Sequence, residues 1–331
     1  MNDRAMSPPP PSSSTAASAS LAAARPSSRS ATGHAPWVGY ALACIGATLF
    51  ATKAIIVKLA YAEGVDAETL LAVRMILSLP VYLAIGLHAL LPSRRGPFDH
   101  ANGRLILRAT AIGALGYWLS SYLDFKGLEL ISAQFERLIL FTYPFFVMLF
   151  GAAFFRQPIK LKSLAAFAIS YGGLLLLFLR DFSRAGDDAA LGAAFVMTAG
   201  ITFALYQLLA KNIIVNMGPR LFTCTAMSAA SAVVIAQFLL THPASQLVLT
   251  PHIWMLGVAL AIGGTILPSF FMNAALHRIS AQANSMIGTL SPVITILLAV
   301  AILAEPLAGL DMLAAVLVIL GVFVATLADR K

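Results

Sequence analysis

From Trp37 onward the chain alternates long apolar stretches with short polar breaks. A helix needs about 20 largely apolar residues to cross the hydrocarbon core of a bilayer. The pattern predicts ten such helices, at approximately 37–60, 67–91, 104–124, 131–155, 161–180, 189–211, 219–240, 252–276, 280–304 and 308–328. The runs are apolar throughout, unlike the alternating apolar and polar positions of a membrane β-barrel strand. Glycines inside them, such as Gly113 and Gly116, Gly172 and Gly173, and Gly263 and Gly264, allow helices to approach closely where lipid supplies no hydrophobic drive. Ahead of the first run, residues 1–35 are rich in Pro, Ser and Ala. They have no periodic apolar face to bury, which predicts a disordered tail. They also lack the uninterrupted apolar core of a signal peptide.

Composition sharpens this pattern. Of 331 residues, 59% are hydrophobic and 11% charged, and the mean hydropathy is +0.85. A soluble domain carries roughly a quarter charged residues, so a soluble enzyme is excluded. The net charge of +8 resolves when the loops are sorted. With the amino terminus inside, 15 of the 22 basic residues fall in inner segments and only Lys126, Arg180 and Arg184 in outer ones. Ten of the 14 acidic residues, Asp124 among them, fall outside. This is the positive-inside bias of short loops, and it predicts both termini in the cytoplasm. The excess charge therefore marks orientation, and no basic stripe with interleaved aromatics suggests nucleic acid. Cys44 and Cys224 sit in apolar runs and read as packing residues.

A self-match carries the functional inference. Ile131-Ser132-Ala133-Gln134 recurs as Ile279-Ser280-Ala281-Gln282, an offset of 148. The same offset aligns Gly116 with Gly264, Ser121 with Ser269, Pro144 with Pro292, Pro158 with Pro306 and Gly173 with Gly321, giving 15 identities in 58 positions. The amino-terminal helices align near an offset of 153, with Gly39 on Gly192, Phe50 on Phe203 and Lys58 on Lys211. Each repeat, 37–180 and 189–328, holds five predicted helices, and an odd number reverses the chain across the membrane. The fold class expected is an all-α membrane protein of ten spanning helices, built as two inverted five-helix repeats around a central cavity. Secondary transporters use this symmetry to expose a midplane site alternately to the two sides.

The units ISAQFERLILFTYPFFVMLFGAAFFRQPI and ISAQANSMIGTLSPVITILLAVAILAEPL resemble the fourth and ninth helices of the EamA family, within the drug/metabolite transporter superfamily. The characteristic parts are Pro144 and Pro292 in mid-helix and the endings Gln157-Pro158 and Glu305-Pro306. The stretch FATKAIIVKLAYAEGVDAETLLAVRMILSLP is similar to the family's first helix pair. The resemblance covers residues 37–328. It implies a ten-helix bundle around a cavity and transport of small metabolites, often export across a bacterial inner membrane. Lys53 departs from the small or neutral polar residue often found near that place.

The candidate site comes from charges inside the spans. A charge at a span's centre costs roughly 2.5–3.5 kcal/mol on insertion scales, so such residues face a partner or a watery cavity. Lys53, Arg74, Glu136 and Arg137 all count to about 8–11 Å below the outer surface, one layer, with Tyr117 and Trp118 close by. The repeat pairs Lys53 with Tyr206, Glu136 with Asn284 and Arg137 with Ser285. The second half is thus neutral where the first is charged, and Gln207 adds a further hydrogen-bonding group. Three cations against one carboxylate favour a substrate with an anionic group, an amino acid or organic anion.

Rival arrangements remain open at this point. Arg74 and Glu136 could form a structural ion pair while Arg137 snorkels to headgroups. A cationic-drug exporter would instead use Glu136 and turn Arg74 to lipid. A sensor or scaffold would keep the skeleton without transport. Pro144 and Pro292, each removing an intrahelical hydrogen bond, are candidate hinges. No HExxH, GxSxG, Walker A or CxxC pattern occurs, so no catalytic residue, metal or cofactor is expected. The expected partners are a small-molecule substrate and the bilayer, with a homodimer left open.

Overall fold

A computed structural model describes residues 36–91, 102–140, 142–155 and 188–304, with short pieces between 164 and 175 and between 309 and 324. The predicted tail, the Gln157-Pro158 and Glu305-Pro306 endings and most of the fifth and tenth predicted spans lie outside the described residues. Those described are helical, without a strand. In order they form α1 (Pro36–Ala62), α2 (Ala67–Leu90), α3 (Gly103–Ile112), a π-helical turn (Gly113–Trp118), α4 (Leu119–Leu130), α5 (Ala133–Leu140) and α6 (Tyr143–Phe155). Then come α7 (Ala189–Met217), α8 (Pro219–Thr241), α9 (Pro251–Ala261), a second π-helical turn (Ile262–Ile266), α10 (Leu267–Arg278), α11 (Ala281–Gly288) and α12 (Ser291–Leu303). Among the described residues, six stretches are long and apolar enough to cross a membrane: Trp37–Ala62, Ala67–Leu90, Ala189–Met217, Pro219–Thr241, Pro251–Arg278 and Ala281–Leu303.

The sequence repeat is also a repeat of elements. The segments α3 to α6, including the π turn, recur as α9 to α12 at the same 148-residue offset, with ends agreeing to within a residue or so. The shared tetrapeptide is a helix cap. Ser132 Oγ accepts from the Phe135 N–H at 3.1 Å, and Ser280 Oγ from the Ala283 N–H at 3.0 Å, satisfying donors that a helix start leaves free. The preceding isoleucines close α4 and α10, their N–H groups donating to Gly127 O (3.1 Å) and Ala275 O (2.9 Å).

These isoleucines also pack crosswise between the halves. A Cβ on Gly39 of α1 would stand 2.7 Å from Ile279 Cγ2, and one on Gly192 of α7 would stand 2.8 Å from Ile131 Cγ2. Only glycine permits that approach. The first helix of each half therefore rests on the turn of the other: α1 packs along α10 and α12, and α7 along α4 and α6.

The prolines differ from expectation. Pro144 and Pro292 do not kink continuous helices; each lies in the first turn of a second segment, α6 or α12, after a break. Proline is favoured there because its missing N–H would have no partner anyway. The breaks tighten through i→i−3 bonds, Thr142 N–H to Ile139 O and Thr289 N–H to Met286 O. The Thr142 and Thr289 hydroxyls also donate to those same carbonyls, at 2.8 and 2.6 Å.

Candidate functional site

Both halves wall one cavity. Its volume is about 820 Å³, open solvent at its mouth included. The wall is largely apolar and aromatic, with Phe50, Tyr117, Tyr143, Phe203, Met227 and Met272. Its charged members are Lys53, Arg74 and Asp124. The π turns lie against it and contribute Tyr117 on one side and Gly264 and Thr265 on the other. Such turns interrupt the regular ladder and recur at functional sites. In the second turn the Thr265 hydroxyl donates to Leu260 O at 3.0 Å, five residues back.

At that wall and behind it the ionic layer is denser than the loop count suggests. Lys53 Nζ pairs with Asp124 Oδ2, both side chains 3% exposed. Arg137 Nε lies 3.0 Å from Glu136 Oε2, both fully buried. Two phenylalanine rings space the cations. Phe125 lies under Lys53 Nζ (5.7 Å to the ring centroid) and Arg74 Cζ (4.7 Å). Phe50 lies under Lys53 Nζ (5.0 Å) and Arg137 Cζ (5.5 Å). Cations over ring faces gain about 2 kcal/mol when desolvated. Arg74 has no ion-pair partner among the described residues; it is buried on the cavity wall, and its Nε and Nη2 lack a hydrogen-bond partner.

The chain matches one family profile twice, over residues 37–179 and 190–327, described as the EamA-like transporter family. The chain belongs to that family. It is a multi-pass membrane protein of a transporter family, as the resemblance of its helix motifs implied. It is 29% identical over 271 residues to the "Uncharacterized transporter YcbK" of Bacillus subtilis, covering 80% of this chain and 84% of that one. Over 202 residues it is 26% identical to the "Probable amino-acid metabolite efflux pump" of Salmonella typhimurium, covering 58% of this chain and 67% of that one. A solved crystal structure superposes with a TM-score of 0.69, over 88% of this chain and 97% of its own, at 18% identity. The last likeness is one of fold.

Within this family fold, the sequence-predicted residues divide into two groups. Lys53, Arg74 and Tyr117 reach the cavity wall. Glu136, Arg137, Tyr206, Gln207, Asn284 and Ser285 are buried but are not on that wall. Tyr206 backs Tyr117, their rings 4.6 Å apart edge to face. Asn284 Nδ2 donates to Gln207 Oε1 at 3.4 Å, and the Ser285 hydroxyl donates to Gln282 O at 2.9 Å. Trp118 is one residue along the helix from Tyr117 and turns away, its indole N–H donating to Gln237 Oε1.

The open pairings are also decided. Glu136 takes Arg137 as its ion-pair partner, which displaces the pairing with Arg74, and Arg137 is buried rather than snorkelling. The count of three cations against one carboxylate becomes three against two, because Asp124 is inside. Asp124, Phe50 and Phe125 are the residues that sequence reasoning missed. The signal for Phe50 was present in its repeat with Phe203.

Proposed function

We propose that this chain is a secondary-type transporter that exports small organic metabolites bearing a carboxylate, amino acids or organic anions, by alternating access. One observation carries the reading: the Arg74 guanidinium is buried on the cavity wall, and two of its nitrogens lack a partner. A buried charge without a partner is expensive, and a ligand carboxylate answers the guanidinium fork in bidentate geometry. A cation exporter built on Glu136 would need that carboxyl on the wall, where Arg74 stands instead. The efflux of an amino-acid metabolite named for the Salmonella relative points the same way.

In this reading the bundle has ten spanning helices as two inverted five-helix repeats, 37–180 and 189–328, in a bacterial inner membrane with both termini cytoplasmic. Lys53, Arg74 and Tyr117 face the substrate, while Glu136 and Arg137 set the field behind them. Tyr206, Gln207, Asn284 and Ser285 form the neutral counterpart. The broken helices at Pro144 and Pro292 are the points of bending between the two open states. Such breaks are tolerated in a membrane where they line a cavity.

The test is ligand-induced stabilisation of the purified chain, followed by flux in proteoliposomes. Among amino acids, organic acids, nucleosides and cationic drugs, carboxylates should stabilise it. A charge-assisted hydrogen bond contributes about 1.5–3 kcal/mol, so Arg74→Gln should lose roughly tenfold to a hundredfold in apparent affinity, and Arg74→Lys less. Unchanged affinity of Arg74→Gln for every carboxylate that the parent binds sinks the reading.

A further inference from the structure

The cavity wall carries two unanswered groups of opposite charge. Arg74 presents Nε and Nη2, and Asp124 presents Oδ1, each without a hydrogen-bond partner. Both residues are almost wholly buried. They are also neighbours, since the Arg74 guanidinium stacks over Phe125, the residue that follows Asp124 on α4. The Lys53 ion pair engages only Asp124 Oδ2, although a carboxylate has about four acceptor positions. Glu136, the other carboxylate of the layer, hydrogen-bonds the Asp124 side chain and is not on the wall. A ligand with one anionic end would satisfy Arg74 and leave Asp124 Oδ1 facing it, a like-charge contact in a desolvated site.

We infer that Asp124 is the acceptor for a substrate ammonium group, so that the cavity selects a zwitterion over an anion of the same skeleton. The substrate carboxylate lies on Arg74, its ammonium group on Asp124 Oδ1, and its remaining part among Phe50, Phe203, Met227 and Met272. Lys53 holds Asp124 in place through Oδ2. This rests on the reading of Arg74 as the carboxylate anchor and adds the second pole. Asp124 is thereby the residue that decides between amino acids and organic acids.

The experiment compares L-leucine, 4-methylpentanoate, which lacks the ammonium group, and 3-methylbutylamine, which lacks the carboxylate. Each is tested as ligand in thermal shift and as competitor in proteoliposome flux with the full chain. The parent should prefer leucine to either analogue by about tenfold or more, as the loss of one charge-assisted hydrogen bond implies. In Asp124→Asn the preference for leucine over 4-methylpentanoate should fall towards unity. The double variant Lys53→Met with Asp124→Leu, which removes both charges of the buried pair together, should show the same collapse even if Asp124→Asn folds poorly.

Equal binding of leucine and 4-methylpentanoate by the parent overturns the inference, and so does a preference that survives in the double variant. Amine binding as tight as leucine overturns it too. The two readings fail separately. If Arg74→Gln weakens 4-methylpentanoate while the Asp124 variants keep the leucine preference, only the ammonium site is wrong. If Arg74→Gln weakens neither ligand, or the parent binds none of the three, the carboxylate anchor falls and the ammonium site with it.

Discussion

The two halves place different chemistry on matching positions. In the first, Lys53 on α1 meets Asp124 on α4 as a buried ion pair. In the second, the Lys53 counterpart Tyr206 reaches Asn273 Oδ1 at 3.4 Å, and Asn273 donates to Thr223 Oγ1 at 2.9 Å. Where the first half has Glu136 and Arg137, the second has Asn284 and Ser285, closed by neutral bonds. Both sets fill the same kind of helix contact. The same kind of helix contact is thus made with ions in one half and with neutral hydrogen bonds in the other.

That contrast predicts the largest effect. Removing one partner of a buried pair typically costs about 3–5 kcal/mol, whereas replacing both by apolar groups of similar volume is often near neutral. Asp124→Leu alone should be destabilised by roughly that amount, and adding Lys53→Met should restore most of it. Tyr206→Phe in the second half loses the neutral hydrogen bonds of its hydroxyl to Asn273 and Tyr117 and should cost about 1–2 kcal/mol. Equilibrium unfolding in lipid–detergent mixtures measures all three. A double variant as unstable as the single one would mean that the ion pair holds the helices together, and the contrast between the halves would fail.

The repeat and the charged layer were legible because both are written in residue types. Lysine or arginine inside an apolar run is conspicuous, and the Ile-Ser-Ala-Gln match survives divergence because Ser132 and Ser280 cap helices. Asp124 was misplaced for a physical reason. The apolar pattern of the third span stops at this acid, as though an acid marks the surface, yet α4 runs on to Leu130. Read as a cap, Ser132 would have put the helix end near residue 130 and Asp124 well inside. The Glu136–Arg137 pair and the π turns were not legible. Adjacent residues on a helix do not normally face each other, and a π turn depends on packing as much as on sequence.

Glycine packing offers a second contrast, with a smaller effect. In the first π turn, a Cβ on Gly113 would stand 2.3 Å from the backbone oxygen of Ala226 on α8. In the second, Gly263 has nothing within 4 Å of that position. The methyl group added by Gly113→Ala must push two backbones apart and should cost about 1–3 kcal/mol, the usual range for overpacking. Gly263→Ala meets no obstacle and gains up to about 1 kcal/mol of helix propensity. Opposite signs in thermal unfolding are expected. Equal destabilisation would show that the second turn also needs its glycine for bending.

The smallest contrast lies at the two helix starts. α2 begins after Asp66, whose Oδ2 accepts from the Glu68 and Thr69 N–H groups, both at 3.2 Å. α8 begins after Gly218, at φ 90° and ψ 145° with no side-chain cap. The Asp66 cap is therefore a local stabiliser that α8 lacks, and Asp66→Ala should cost about 1 kcal/mol. Partial burial alone would raise the Asp66 pKa. The hydrogen bonds from Thr69 and the nearby His242 ring outweigh it, holding the carboxyl below its ordinary value. A depressed pKa gives stability that is complete above the unfolded value, about 4, and is lost as pH falls through the lower folded value. Asp66→Asn keeps a capping oxygen but has no such titration. Melting temperatures of parent and Asp66→Asn should therefore converge as pH drops from 6 to about 3. A constant difference over that range would show that the Asp66 carboxylate does not set the acid sensitivity of this helix start.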